Sequence, residues 1–171
     1  MPADSATPDR SRPLLAIAVG GLLAGFFDLV FAFVFYGARG LTPIQILHSI
    51  ASGWIGKAAQ TGGLASATLG LFTHFGIALG AASVYYLLSR RISILRRRPV
   101  PMGILFGVGL YGFMNFVVIP LSAFPFQLSY PARVVLPGVA VHMFFIGLPI
   151  ALSVHHYTDG LTSSRSAKLD A

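Results

Sequence analysis

Four stretches of this chain are each long and apolar enough to cross a bilayer, and that limits every other choice. They run from Leu14 to Ala38, from about Leu64 to Leu88, from Met102 to Ser122, and from Val134 to Val154. A helix needs about 20 apolar residues to span hydrocarbon about 30 Å thick. The expected fold is therefore all-α: a polytopic membrane protein built as a four-transmembrane-helix bundle. Composition agrees, since 55% of the 171 residues are hydrophobic and only 10% charged, with a mean hydropathy of +0.76. A soluble domain carries roughly 25% charged residues. Glu and Cys are both absent, which removes disulfide and thiolate chemistry. The first span is expected to stay in the mature protein. Its apolar core exceeds the roughly 7–15 residues of a signal h-region, and its exit, YGARG, has no small-x-small cleavage site.

Basic residues set the expected topology. Arg10, Arg12, Arg90, Arg91, Arg96, Arg97, Arg98, Arg165 and Lys168 fall on one side of alternating spans, and Arg39, Lys57 and Arg133 on the other. Nine against three places both termini in the cytoplasm by the positive-inside rule. Orientation then accounts for the formal net charge of +7. The loop SRRISILRRRP suits anionic lipid headgroups through Arg90, Arg91, Arg96, Arg97 and Arg98. Nothing in this pattern calls for nucleic acid, because no aromatic-interleaved basic groove accompanies it. Residues 1–13 and 158–171 are polar and read as disordered cytoplasmic tails around a membrane domain at 14–157.

Two connecting segments carry patterns of their own. In TPIQILHSIASGWIGKAAQ, Thr42 can cap and Pro43 fits the first helical position. Leu47, Ile50, Ala51, Trp54, Ile55 and Ala58 then recur at helical spacing, which predicts an outer amphipathic interfacial helix over 43–60. Trp54 would anchor it, Lys57 would snorkel, and His48 reads as a solvated residue of the polar face. The sharper reading makes His48, Trp54 and Lys57 part of a lid over something between the spans. Segment 120–133 holds Pro120, Pro125 and Pro131, which forbid a continuous helix, and its Phe124, Phe126 and Tyr130 suit an interfacial aromatic layer.

Each span carries one strongly polar side chain: Asp28, His74, Asn115 and His142. At 1.5 Å per residue, Asp28 and His142 come roughly 12 Å below the outer boundary, His74 roughly 15 Å and Asn115 roughly 10 Å. All four, with Tyr111 one turn before Asn115, fall in one layer. Intramembrane ionisable groups face the bundle interior and find partners, so Asp28 is expected to meet His74 or His142. Gly21 and Gly25 share a face with Asp28. The motifs GLLAG and GIALG are GxxxG patterns that permit close approach, within one chain or between copies in a homo-oligomer.

Several roles fit that layer. It can lock helix register by hydrogen bonds, with no ligand. It can exchange protons near neutral pH, as a relay or as the heart of a proton-coupled small transporter. His74 and His142 can also serve as axial ligands in a haem b or quinone-binding redox subunit. No HxxxH or ExxH pair supports a local metal site. Nucleophile-elbow, P-loop and dinucleotide motifs are absent, so the expected role is non-enzymatic.

The stretches GLLAGFFDLVFAF with the following LTP, THFGIALGAASVYYL, GILFGVGLYGFMNFVVIPLSAFP and VAVHMFFIGLPIAL together resemble the YagU-type bacterial inner-membrane proteins. The resemblance covers most of residues 14–154 and implies a small helical protein of the bacterial inner membrane. By it, His74 and His142 match polar positions of the family, while Asn115 stands where the family pattern has a histidine. That departure weakens a metal or haem reading that needs a third imidazole. The resemblance implies nothing about substrate.

Overall fold

The computed structural model describes residues 12–158, Leu128 excepted. Among them there is no strand, and four helices are long and apolar enough to cross a membrane. Helix α1 is Pro13–Gly37. Helix α2 is the short Pro43–Ile55. The remaining spans are α3, Gly63–Arg91, α4, Pro99–Leu121, and α5, Ala132–Thr158. The expected tails, with Arg10, Arg165 and Lys168, lie outside the described residues apart from Arg12, Pro13 and Thr158. Both ends of the described chain and the arginine-rich loop gather at one end, here the basic end. Arg12 N–H donates to Tyr157 O at 3.0 Å, and His155 Nδ1 donates to Arg96 O at 2.8 Å. Helix α2 and the α4–α5 link lie at the opposite, far end.

Glycine decides which helices touch. Helix α1 packs α3 on one flank and α5 on the other, and α4 packs on α5. Gly21 and Gly25 let α1 settle onto Leu79, Phe75 and Ala78 of α3. A Cβ on Gly21 would stand 2.8 Å from the Leu79 side chain and 2.9 Å from its Cα. Helices α4 and α5 meet backbone to backbone at Gly103, Gly107 and Gly147, where a Cβ on Gly103 would stand 2.8 Å from Gly147 O. GLLAG is therefore consumed within the chain. GIALG is not: Gly76 and Gly80 meet nothing within 4 Å and look outward.

The hydrophobic core lies toward the basic end. Ala16, Ala24, Ala82, Tyr85, Ile150, Ala151 and Val154 are its fully buried members. Helices α3 and α4 meet there through Tyr85, whose ring stands edge-on to Phe106 at 5.0 Å and whose hydroxyl donates to Leu95 O at 2.9 Å. Ala24 closes the core on the α1 side. Asp28 is one turn above it, half-buried, toward the far end.

Helix α2 forms where the sequence places it, but it presents a different face. Thr42 and Gln45 make a reciprocal capping box, Pro43 takes the first position, and Gly56 at φ 59 ends the helix before a 3-10 segment, Gly56–Thr61. The buried residues are Ile46, His48, Ala51 and Ser52, whereas Trp54 is 67% exposed and Ile55 44%. His48 is thus corrected from the solvated face to the protein interior, 6% exposed, with Nε2 donating to Gly63 O at 2.8 Å. The cause is close packing: a Cβ at Gly70 of α3 would collide with the Leu47 carbonyl, so small or self-satisfied side chains fill the seam. In a bilayer the large apolar residues lose nothing by facing lipid.

Substitution should separate the two glycine pairs. Gly107→Ala forces α4 off the His142 carbonyl and is expected to destabilise by about 1–3 kcal/mol. Gly80→Ala should be neutral or stabilising, by up to about 1 kcal/mol. Unfolding midpoints in detergent check both, and a loss at Gly80→Ala equal to that at Gly107→Ala would refute this assignment of faces.

Candidate functional site

Two spans widen near their polar residues, and proline explains both. Helix α4 has a π-type stretch at Met114–Val118 and α5 one at His142–Gly147. Each ends two residues before a proline, Pro120 or Pro149. Proline has no N–H, and its ring crowds the carbonyl four residues back, so the preceding turn takes up an extra residue. Ile119 N–H accordingly reaches back to Met114 O, and Leu148 N–H to Met143 O.

That shift leaves the Asn115 carbonyl without a backbone donor. Ile119 has turned to Met114, and the next residue, Pro120, has nothing to give. Tyr130, in the α4–α5 link, fills the gap: its hydroxyl donates to Asn115 O at 2.9 Å while its ring lies 5.3 Å from that of Phe116. The Asn115 side chain turns inward along its own helix, Nδ2 donating to Tyr111 O at 2.9 Å. The Tyr111 ring occupies space left by Gly138, where a Cβ would come 2.8 Å from it, and meets His142 edge-on at 5.2 Å.

The two intramembrane histidines have different employments. His74 Nε2 donates to Gly25 O at 2.8 Å, directly across the α1–α3 seam. His142 Nδ1 donates to Gly138 O at 2.9 Å within α5. A carbonyl can only accept, so the proton of His142 sits on Nδ1 and Nε2 keeps its lone pair. Asp28 bonds to neither imidazole. Its charge acts on His142 and on Tyr36, yet no hydrogen bond or ion pair within 4.0 Å joins it to any described residue. The expected Asp28–histidine contact is thus a through-space one with His142, and His74 belongs to the seam.

There is a physical reason for that isolation. A helix in lipid has spare acceptor capacity, because each carbonyl has two lone pairs. It has no spare donors, because every N–H is already used. Imidazole, amide and hydroxyl groups can therefore lean on backbone carbonyls, and here they do. An ionised carboxylate can only accept. Side-chain donors, water, a proton or a cation are what remain for it, and no described side chain donates to it.

The other residues singled out by sequence are distributed as follows. Trp54 Nε1 donates to Thr73 Oγ1 at 2.9 Å, so α2 is fastened to α3, and Lys57 is exposed. Ala123 N–H donates to Gly53 O at 2.9 Å, so the α4–α5 link is fastened to α2. Arg90, Arg91, Arg97 and Arg98 are exposed at the basic end. Arg96 is half-buried, its Nε shielded and without a hydrogen-bond partner. His74 and His142 do not fit as axial ligands of one haem. The first spends Nε2 in a seam closed by Gly25 against Phe75 and Ala78, which leaves no room for a haem at that nitrogen.

Tyr130 and Tyr36 are the participants that sequence reading missed. A signal for Tyr130 exists: a proline inside a span strands a carbonyl, and the following link must supply a donor. Tyr36 had no such signal. No known protein family, curated protein or solved structure matches the chain.

His74→Leu should lower the unfolding free energy by about 1 kcal/mol, the net worth of one such bond. It should leave the carboxyl stretch of Asp28 unchanged. A changed Asp28 signal, followed by infrared spectroscopy of the carboxyl stretch, would return His74 to the polar cluster.

Proposed function

We propose that this chain is a small multi-pass protein of the bacterial inner membrane, of YagU type, that binds and relays protons at Asp28 and His142. One observation carries the reading: Asp28 sits inside a span, one turn above the closed core, with no hydrogen bond or ion pair among the described residues. A mid-span acid opposes insertion by about 2.5–3.5 kcal/mol. Structure alone draws no bond from it in return. His142 supports the reading, because its Nδ1 is held by Gly138 and its Nε2 lone pair is left to take a proton passed from the carboxyl. The charge bias of nine against three basic residues supports a far end outside the cytoplasm, and on this reading the proton enters from the periplasmic side.

A proton-coupled small transporter is the second reading. It is favoured by the packing of α4, which lies on α5 and meets α3 through Phe106 and Tyr85 near the basic end. The arginine loop would hold anionic lipid headgroups in either case.

The test is proton flux into liposomes carrying the purified protein, driven by an imposed pH gradient and followed with a trapped dye. Asp28→Asn should reduce flux at least about tenfold, on the order of what a positioned proton-transfer group supplies. Its unfolding midpoint should stay level or rise, because no bond of Asp28 is lost. Flux that is absent from the native protein, or indifferent to Asp28→Asn, would overturn the reading.

A further inference from the structure

We propose that the Tyr130 hydroxyl is the latch of a hinge in α4, and that its release opens the far end of the bundle to let water reach Asp28. The proposal rests on the reading of Asp28 as a proton site and supplies its gate.

The tip of α4 and the link that follows are pinned at two points. One pin is internal, Tyr130 Oη to Asn115 O at 2.9 Å. The other runs outward, Ala123 N to Gly53 O at 2.9 Å, onto a helix that is itself tied to α3 through His48 and Trp54. The internal pin lands inside the Met114–Val118 wide turn, whose i→i+5 bonding is the sort of irregularity that marks a hinge in a helix. Below the hinge, α4 is clamped to α5 by backbone contact at Gly103 and Gly107, which leaves no room to slide. Motion is thereby confined to the segment above.

The bond at Asn115 differs from its neighbours in having no substitute. His74, His142 and the Asn115 side chain donate to carbonyls of Gly25, Gly138 and Tyr111, which lie in helix with an amide donor four residues on, so losing one of those bonds strands nothing. Asn115 O has lost its amide to the wide turn and to Pro120, and if Tyr130 leaves, only water can replace it. Releasing the latch and admitting water at Asn115 O are then the same event. The water that takes over Asn115 O arrives beside Tyr111, whose ring touches His142, on which the charge of Asp28 acts. Closed, the latch limits the access of water to the half-buried acid. Open, it exposes the acid to proton exchange.

The absence of cysteine makes the test clean. Asp28→Cys introduces a single thiol, and its labelling by a membrane-impermeant maleimide in proteoliposomes reads access from the far side. Tyr130→Phe keeps the ring against Phe116 and removes only the donor. It should raise the labelling rate of Asp28→Cys about 2- to 12-fold, the factor that corresponds to the net worth of one hydrogen bond. Ala123→Pro removes the second pin and should raise the rate likewise. It is tolerable because Ser122 already has φ −87 and ψ 176, the conformation a following proline requires. Ser153→Cys, in the seam with Gly20, should stay unlabelled in every background.

Equal labelling of Asp28→Cys with and without Tyr130→Phe overturns the latch and leaves the proton site standing. A parallel rise at Ser153→Cys means that the whole bundle has loosened, and overturns it too. No labelling in any background overturns the latch together with the access that proton uptake needs. Increased labelling with flux indifferent to Asp28→Asn keeps the latch and discards the proton site.

Discussion

A backbone carbonyl in hydrocarbon has only its own chain to turn to, and much of this fold can be understood as the working out of that rule. His48 serves Gly63, His74 serves Gly25, His142 serves Gly138, Asn115 serves Tyr111, and Tyr85 serves Leu95. Two of these donors, His48 and His74, cross to another helix where glycine lets backbones approach, and the His142 and Asn115 side chains turn back on their own helices. Polar side chains and small residues thus belong to one design: the glycine makes the seam and the ring secures it. Each bond is modest, near 0.6 kcal/mol in membrane proteins, but together they fix which faces meet. Asp28 cannot take part in this economy of donors, and that sets it apart from every other polar residue of the spans.

Packing is graded along the bundle axis. Tyr85, Ile150, Val154 and the alanines of α1 and α3 close the basic end. At the far end α2 packs closely on α3, burying Ile46 and Ala51, while the tip of α4 and the link after it are held by individual hydrogen bonds, Ala123 to Gly53 and Tyr130 to Asn115. Regions with few buried apolar contacts open at lower free energy than the core. The polar cluster around His142 lies on the boundary between the two regimes, close enough to the core for its position to be fixed and far enough for its surroundings to change.

Much of this architecture was legible in the chain. The four spans fall within a few residues of their expected limits, since apolar length is read directly from composition. Thr42 and Pro43 announce the start of α2 with equal clarity. What depth arithmetic cannot give is azimuth. It placed Asp28, His74, Asn115 and His142 in one layer, but rise per residue says nothing about which way each side chain turns, and His74 turns into the α1–α3 seam. The wide turns compound the problem, because each shifts the helical phase by a residue and follows from a proline that reads in sequence only as a kink. The face of α2 was misread for a different reason. Periodicity reveals an apolar stripe, whereas in lipid that stripe is free to face outward while His48 and Ser52 pack inward. Tyr130 lies 15 residues from the carbonyl that it serves, beyond the reach of any local pattern.

The contact of α1 with α5 has a consequence for biosynthesis. Gly20 rests on Ile150 and Ser153, and Arg12 bonds to Tyr157, so the first span waits for nearly the entire chain to be translated before that side of it is covered. Asp28 must therefore partition into the bilayer before His142 exists. The other residues of α1 have to carry it there unaided. They include fourteen Leu, Ile, Val and Phe, and α1 has the highest mean hydropathy of the four spans although it alone holds an acid. At about −0.3 to −0.6 kcal/mol each, they outweigh the roughly 2.5–3.5 kcal/mol that an aspartate opposes to translocon-mediated insertion. The phenylalanines crowding residues 26–35 are thus the ballast that lets a charge enter lipid first and find its neighbour later.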